Sequence, residues 1–119
     1  MKQQPIEDAL NELNNLVIEG KLLDAFDKFY HNDVVMQENN FIPTISKAEN
    51  RERELQFLSD VTEFRGAEVR SMGVNGNISF VVWHYDYTHK DWGLRNYSQV
   101  SIQEWKDGQI IKELFVYNN

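Results

Sequence analysis

The hydrophobic period of the chain changes near residue 65, and this change constrains the fold more than any other feature. Before that point, apolar residues recur at spacings of three and four, which is the pattern of amphipathic helices. After it, they alternate with polar residues, which is typical of β-strands. Helices followed by a run of strands predict an α+β architecture. At 119 residues, we expect one domain spanning 1–119.

Two helices and a short strand are predicted first. The first apolar stripe covers residues 6–17 and the second covers 22–30, with Gly20 between them as a C-terminal cap. Residues 34–38 alternate and predict a short strand whose inward side includes Met36 and Glu38.

A third helix is predicted to begin after Ser46. Ser46 and Glu49 form a capping box, and the pattern that follows predicts a helix to about Phe64. Residues 51–54, Arg-Glu-Arg-Glu, are interpreted as a solvated face of this helix. The residues expected to face inward are Leu55, Leu58 and Val61.

The second half predicts an antiparallel meander of four strands. Two turn signals, Asn75-Gly76 and Asp107-Gly108, join pairs of strands by two-residue hairpins, because both central positions need positive φ. The four strands are expected over 69–74, 78–88, 94–105 and 109–117.

Both faces of this sheet carry apolar residues, so both need a cover. Helices can cover the inner face, where Tyr97, Gln99 and Ser101 fall by alternation. A second copy of the chain is the simplest cover for the outer face. The sequence therefore predicts a homodimer through an outer face made of Val100, Ile102, Ile110, Leu114 and Val116.

The order of elements resembles the nuclear transport factor 2-like superfamily, and within it the SnoaL-like domain proteins. The likeness rests on Gly-Lys-Leu-Leu-Asp-Ala at 20–25, on Tyr-His-Asn-Asp-Val-Val-Met at 30–36, and on residues 100–117. It implies a cone-shaped fold with three N-terminal helices packed on a strongly curved, mostly antiparallel sheet. It also implies a deep cavity and commonly a homodimer. This fold supports isomerases, cyclases, dehydratases, binding proteins and assembly domains.

Glu38 is the first candidate for a catalytic carboxylate. It matches the position where the resembling ketosteroid isomerases keep a carboxylate base, and alternation also points it inward. A carboxyl group in an apolar cavity holds its proton more tightly, which suits an acid or base near neutral pH. The other two roles of that family fall on Asn14 and Ser101, so ketosteroid isomerisation itself is not expected. An exposed strand end is the alternative for Glu38.

Glu113, on the last strand, is the second candidate carboxylate. The sheet also carries most of the aromatic residues, and such a lining suits a flat or cyclic organic ligand. The alternative is that these residues simply fill the core. The ligand-binding residues predicted are Met36, Tyr85, Tyr87, Tyr97, Gln99, Ser101, Phe115 and Tyr117.

Charge and composition exclude several classes of partner. Residues 1–64 carry 13 acidic and 6 basic residues, and residues 65–119 carry 6 of each. Without a basic stripe, neither nucleic acid nor an anionic membrane is expected as a partner. The chain has no Cys, and His84 with Asp86 lacks a third ligand, so no metal or cofactor is predicted. No signal segment or membrane span is evident, which predicts a soluble cytoplasmic protein.

Two functions remain open on these grounds. The first is a small-molecule-binding protein, acting as a cofactor-independent isomerase, cyclase or dehydratase on a small cyclic or hydrophobic compound. The second is a non-catalytic dimeric ligand-sensing or assembly domain. A cavity that holds a ring system and is lined by Glu38 would favour the first, and a filled core would favour the second.

Overall fold

Helices and strands separate along the chain as the change of period predicts, except that two strands precede the third helix. The structure is a computed structural model, and it describes residues 4–118. In chain order the elements are α1 (Ile6–Ile18), α2 (Leu22–Phe29), β1 (Tyr30–Glu38), β2 (Thr44–Ile45), α3 (Lys47–Asp60), β3 (Val61–Asn75), β4 (Ile78–His89), β5 (Gly93–Lys106) and β6 (Gln109–Tyr117).

The first two helices each bury one apolar face, as their spacing predicts. Gly20 follows α1 with φ of +80°, and its backbone N–H donates to the carbonyl of Val17 at 3.0 Å. Only glycine adopts this left-handed conformation without strain, so Gly20 ends the helix. The apolar residues that the two helices bury are Ala9, Leu10, Leu13, Ala25, Phe26 and Phe29.

The third helix begins as predicted and ends earlier. Ser46 Oγ accepts a hydrogen bond from the backbone N–H of Glu49 at 3.3 Å, which confirms the N-terminal cap. The helix ends at Asp60 and not near Phe64. Val61 already pairs with the last residue of β4, so tertiary pairing draws the segment after Asp60 into the sheet.

The inward face of α3 differs from the prediction. Leu55 is 37% exposed, and Leu58 is 38% exposed although it contributes to a cavity wall. The residues that turn inward are Asn50, Glu54 and Phe57, followed by Val61. These four residues are spaced four, three and four positions apart, as one face of a helix requires. Two of them, Asn50 and Glu54, are polar, so an apolar pattern does not reveal this face.

The six strands form one mixed sheet in the order β2-β1-β6-β5-β4-β3. Within the part of the chain that the structure describes, only the β1–β6 pair is parallel, and the other four pairs are antiparallel. Strand β3 begins at Val61, eight residues before the predicted start at residue 69, and pairs with β4 as far as Asn75. The β3–β4 turn consists of Gly76 and Asn77, one residue later than predicted.

The β5–β6 hairpin contains the predicted turn and an unpredicted bulge. Asp107 and Gly108 have φ of 53° and 82°, as a two-residue turn with both central positions left-handed requires. Glu104 pairs with Lys112, whereas Trp105 pairs with Ile110, so one extra residue is inserted. The bulge sends Ile110 into the core, where it is fully buried. The prediction that Ile110 lies on the outer face is therefore wrong.

The helices cover one face of the sheet, and the other face is exposed. The core joins the buried faces of α1 and α2 to Val34 and to inward side chains of the sheet, among them Val81, Trp83, Trp105 and Ile110. On the outer face, Phe80, Ile102 and Val116 are between 36% and 45% exposed. Within residues 4–118, no helix is both long and apolar enough to cross a membrane.

Candidate functional site

A cavity of about 510 Å³ lies between the helices and the inner face of the sheet. Alternation along β5 sends Tyr97, Gln99 and Ser101 to its wall, whereas Val100 and Ile102 point to the other face. The register predicted for this strand is confirmed. Strand β4 contributes Trp83, Tyr85 and Tyr87 by the same alternation.

A hydrogen-bonded network at the cavity wall is centred on Glu113, which is 3% exposed. Its Oε1 accepts from the Tyr30 hydroxyl, and its Oε2 accepts from Gln103 Nε2 at 2.8 Å. Gln103 Oε1 accepts from the Ser79 hydroxyl at 2.7 Å, and Ser79 Oγ accepts from Trp105 Nε1 at 2.8 Å. The chain of donors therefore fixes the orientation of the Gln103 amide and points its N–H at the carboxylate.

The protonation of Glu113 is balanced near neutrality. Burial raises the pKa of Glu113 from 4.5 to about 7, although the hydrogen bonds from Tyr30 and Gln103 favour the charged form. Burial, and then the neighbouring carboxylate, raises the pKa of Tyr30 well above 10. Tyr30 therefore keeps its proton at neutral pH and donates it in the hydrogen bond to Glu113.

Glu54 of α3 brings a second carboxyl group to the cavity wall. Burial, and after it the charges of Glu113 and Glu38, raise the pKa of Glu54 to about 7, while the charge of Arg53 acts in the opposite direction. The interpretation of residues 51–54 as a solvated face is wrong at Glu54. The sequence signal for this position is the apolar Phe57 three residues later, which lies on the same face of the helix.

Glu38 lies at the rim of the cavity and not deep inside it. Its side chain is 39% exposed and lies 3.4 Å from Arg53 Nη2, measured from Oε2. It also lines the cavity wall. Burial, and after it the charge of Glu38, raises the pKa of the nearby Tyr117 hydroxyl. Position and pairing thus distinguish Glu38 from the two more enclosed carboxyl groups.

Aromatic rings form a continuous surface along the inner face of the sheet. Trp83 and Tyr85 stack with ring centroids 5.4 Å apart, and Tyr85 lies 6.0 Å from Tyr97. The hydroxyl groups of Tyr87 and Tyr97 hydrogen-bond at 2.9 Å. Burial raises the pKa of Tyr85 and of Tyr97, so both keep their protons at neutral pH. The cavity therefore combines flat apolar surfaces with hydroxyl, amide and carboxyl groups.

Comparison with known proteins places the chain in a family. The SnoaL-like domain family matches residues 1–117. The chain belongs to the SnoaL-like domain family. No curated protein matches its sequence significantly.

Solved structures share the fold of this SnoaL-like domain. A candidate SnoaL-like polyketide cyclase from Mesorhizobium loti superposes with a TM-score of 0.85 at 22% identity, covering 94% of this chain and 98% of that one. A candidate SnoaL-like polyketide cyclase from Jannaschia sp. CCS1 gives 0.75 at 11% identity, covering 99% and 91%. An LEH-like epoxide hydrolase from M. tuberculosis gives 0.75 at 14% identity, covering 93% and 80%. These likenesses establish the nuclear transport factor 2-like α+β fold.

Most of the predicted ligand-binding residues of the SnoaL-like domain lie on the cavity wall, but two do not. Met36 lies in the core and lines an adjoining cleft of about 310 Å³. Tyr117 is half-buried outside the wall, with its ring 5.8 Å from that of Tyr97. The predicted residues on the wall are Glu38, Tyr85, Tyr87, Tyr97, Gln99, Ser101, Glu113 and Phe115.

The wall also contains residues that the sequence analysis did not assign to a site. The sequence pattern places Phe26 and Tyr30 in a helical stripe, although Tyr30 begins β1 and binds Glu113. Phe57 and Glu54 come from α3. Gln103, which alternation does place on the inner face, joins the network at Glu113. Only the fold brings these elements together, since they are far apart in sequence.

The His84–Asp86 pair lies on the outer face and is already engaged. His84 contacts Ser98 Oγ at 3.2 Å and Asn96 Oδ1 at 2.7 Å, and Asp86 accepts from Arg65 Nε at 2.8 Å. Among residues 4–118, no group of three or more His, Cys, Asp or Glu side chains is arranged to hold a metal ion.

Proposed function

We propose that this SnoaL-like domain binds a small cyclic or hydrophobic organic compound and rearranges it by cofactor-independent acid–base chemistry. Isomerisation, cyclisation and dehydration are the reactions that need only a proton acceptor, a proton donor and an oriented oxygen function. A cavity of about 510 Å³ is of the size that small-molecule sites have.

The observation that carries this proposal is the position of Glu113. Its carboxyl group is buried at the cavity wall, is oriented by Tyr30 and Gln103, and has a pKa of about 7. Such a group accepts a proton from a carbon acid when ionised and returns it when protonated. Tyr97, Gln99 and Ser101 line the same cavity and would hold a carbonyl or hydroxyl group of the substrate.

We assign the acid–base role to Glu113 before Glu38. The Glu38 carboxylate is more exposed and is paired with Arg53 at the rim, so water and a cation both stabilise its charge. Glu38 remains a second candidate, placed to contact a substrate group near the cavity mouth. Replacing Glu38 with Gln is expected to change the reaction less than replacing Glu113.

Exchange of carbon-bound protons provides a test that needs no knowledge of the natural substrate. The probe is 2-tetralone in D₂O, with loss of its α-proton signals followed by NMR. We expect the protein to accelerate exchange at least about tenfold over buffer, as a positioned general base does. Glu113→Gln should abolish the acceleration, and Glu104→Gln, on the opposite face of β5, should keep it.

The outer sheet face supports a proposal about assembly. The register places Phe80, Ile102 and Leu114 in one row, and Val82, Val100 and Val116 in the next. Several of these residues are exposed, and together they make an apolar surface that a second copy of the chain would cover. We propose a homodimer through this face.

A non-catalytic ligand-sensing or assembly domain is the alternative function. The exposed outer face is compatible with it. The cavity is nevertheless open and lined by carboxyl groups, where a purely structural domain would fill the space with core side chains. The open cavity therefore favours ligand binding over a purely structural role, and the buried, oriented carboxyl group of Glu113 favours catalysis over sensing.

A further inference from the structure

The charged residues on the cavity wall are all acidic. Glu38, Glu54, Glu63 and Glu113 line it, and among the described lining residues there is no Lys, Arg or His. A ligand that enters the cavity therefore meets negative charge in a partly desolvated space. Such a site discriminates strongly by the charge of the ligand.

Two of these four carboxylates have a cation of their own at the rim. Glu38 pairs with Arg53 at 3.4 Å, and Glu63 pairs with Arg65 at 3.2 Å. The charges of Glu38 and Glu63 are therefore already compensated without a cationic ligand.

The other two carboxyl groups form no ion pair within residues 4–118, although the charge of Arg53 acts on Glu54 at longer range. Glu113 is satisfied by the neutral donors Tyr30 and Gln103. Glu54 makes no hydrogen bond and no ion pair with any residue in the described part of the chain, although it faces the cavity. A partly buried carboxylate without a partner is costly, and a cation placed beside it would remove that cost.

The sheet side of the cavity is the kind of surface that attracts cations. Trp83, Tyr85 and Tyr97 present their rings along it, and Trp is the strongest cation–π partner among the side chains. The chain itself already uses one of these rings in this way. The guanidinium of Arg95 lies 4.6 Å from the ring centroid of Tyr97.

We propose that the ligand of this cavity is a cyclic or aromatic amine, bound as its ammonium form. The ammonium group pairs with Glu54 and lies against the ring of Tyr85, and the ring of the ligand lies against Trp83. Glu113 then stays free for the acid–base step. This inference rests on the proposed function and adds to it the charge class of the substrate and an anchoring role for Glu54.

Three probes with one ring system separate the charge of the ligand from its shape. They are 2-aminotetralin, 2-tetralol and tetralin-2-carboxylic acid, titrated into the protein by calorimetry at neutral pH. We expect the amine to bind at least about tenfold more tightly than the alcohol, and the acid to show no binding. Glu54→Gln should lower the affinity for the amine to that for the alcohol and leave the alcohol unchanged.

Glu52→Gln, which removes an exposed carboxylate from the same helix, is the matched control and should leave all three affinities unchanged. Equal binding of alcohol and amine would overturn the amine inference and leave the proposed small-molecule function standing. Preferential binding of tetralin-2-carboxylic acid would likewise overturn the amine inference and leave the proposed function standing. An amine preference that survives in Glu54→Gln would overturn the anchoring role of Glu54. Failure of all three probes to bind would overturn both the inference and the proposed function.

Discussion

The side-chain amide of Gln103 donates to the carboxylate of Glu113 over 2.8 Å, directly across the β5–β6 pair. The neighbouring hydrogen bonds determine which of the two groups donates. Ser79 donates to the oxygen of the same amide, and Trp105 donates to Ser79, so each group has one consistent role. The network thus requires an acceptor at position 113.

Glu113→Leu should leave the Tyr30 hydroxyl and the Gln103 amide without their acceptor. At about pH 5.5 Glu113 is mostly protonated, so the variant differs in hydrogen bonding and not in charge; we expect a loss of about 1–3 kcal/mol in the free energy of unfolding. Glu113→Gln keeps one acceptor and one donor, as the protonated acid does, and should avoid most of this loss at the same pH. Denaturant unfolding measures both variants. A Gln variant no more stable than the Leu variant would contradict the network.

Glu54→Gln should change how stability depends on pH. The folded-state pKa of Glu54 is about 7 against an ordinary 4.5, so the folded chain keeps a proton that the unfolded chain releases between these values. The contribution of Glu54 to stability is therefore present below about pH 4.5 and is lost as pH rises to about 7. Above about pH 7 the variant should be more stable than the wild type by at least about 1 kcal/mol, since one pKa unit corresponds to about 1.4 kcal/mol.

Denaturant unfolding of Glu54→Gln and the wild type between about pH 4.5 and pH 8 measures this difference. The control is Glu52→Gln on the exposed side of α3, which should leave the pH dependence of unfolding unchanged. If the stabilities of Glu54→Gln and the wild type ran parallel across this pH range, Glu54 would not have the raised pKa described above.

Asn50→Asp should destabilise the fold strongly at neutral pH. The Nδ2 group of Asn50 donates to the carbonyls of Val34, Thr44 and Ser46 at 3.3, 3.0 and 2.8 Å. A carboxylate would face three acceptors without a donor, and we expect a loss of about 3 kcal/mol or more. Thermal unfolding checks this against Asn40→Asp, an exposed position where the same change should have little effect. Equal effects at the two positions would refute the role of Asn50.

Ile102→Lys should dissociate the proposed dimer. Ile102 lies in the middle strand of the apolar rows on the outer face, and a buried unpaired charge there costs several kcal/mol, about 3–5 by analogy with broken buried pairs. Sedimentation velocity should show a dimer for the wild type and a monomer for the variant. Ile42→Lys, at a loop residue that is 90% exposed, should remain dimeric. A monomeric wild type at micromolar concentration would end the dimer proposal.

Local sequence signals correctly predicted several helix ends, one turn and the inward face of β5. The cap at Ser46, the helix end at Gly20 and the turn at Asp107-Gly108 depend on nearby residues, so the sequence alone was sufficient for them. Alternation placed Tyr97 and Ser101 on the cavity side for the same reason. The resemblance carried by residues 100–117 agrees with the family that the chain belongs to.

The predictions were wrong where pairing with strands distant in the sequence determines where an element ends or which way a side chain points. Ile110 turns inward because a bulge opposite Trp105 shifts the register of β6, and pairing with β4 ends α3 at Asp60. Glu54 was overlooked because a run of alternating charges is normally solvated, and only the packing of α3 over the sheet encloses it. Alternation does place Gln103 on the same face as Glu113, but the sequence does not show which tyrosine binds Glu113, since Tyr30 comes from β1, far away along the chain.

The most direct test of the account is the titration of the glutamate side chains by carbon-detected NMR in the ligand-free protein. The claim is that two carboxyl groups in the cavity, Glu54 and Glu113, exchange protons near neutral pH. We predict two carboxyl resonances with midpoints of about 7, one missing in Glu54→Gln and the other in Glu113→Gln. If every glutamate titrated near its ordinary pKa, about 4.3, the cavity would hold no group poised for acid–base chemistry, and the account would be wrong.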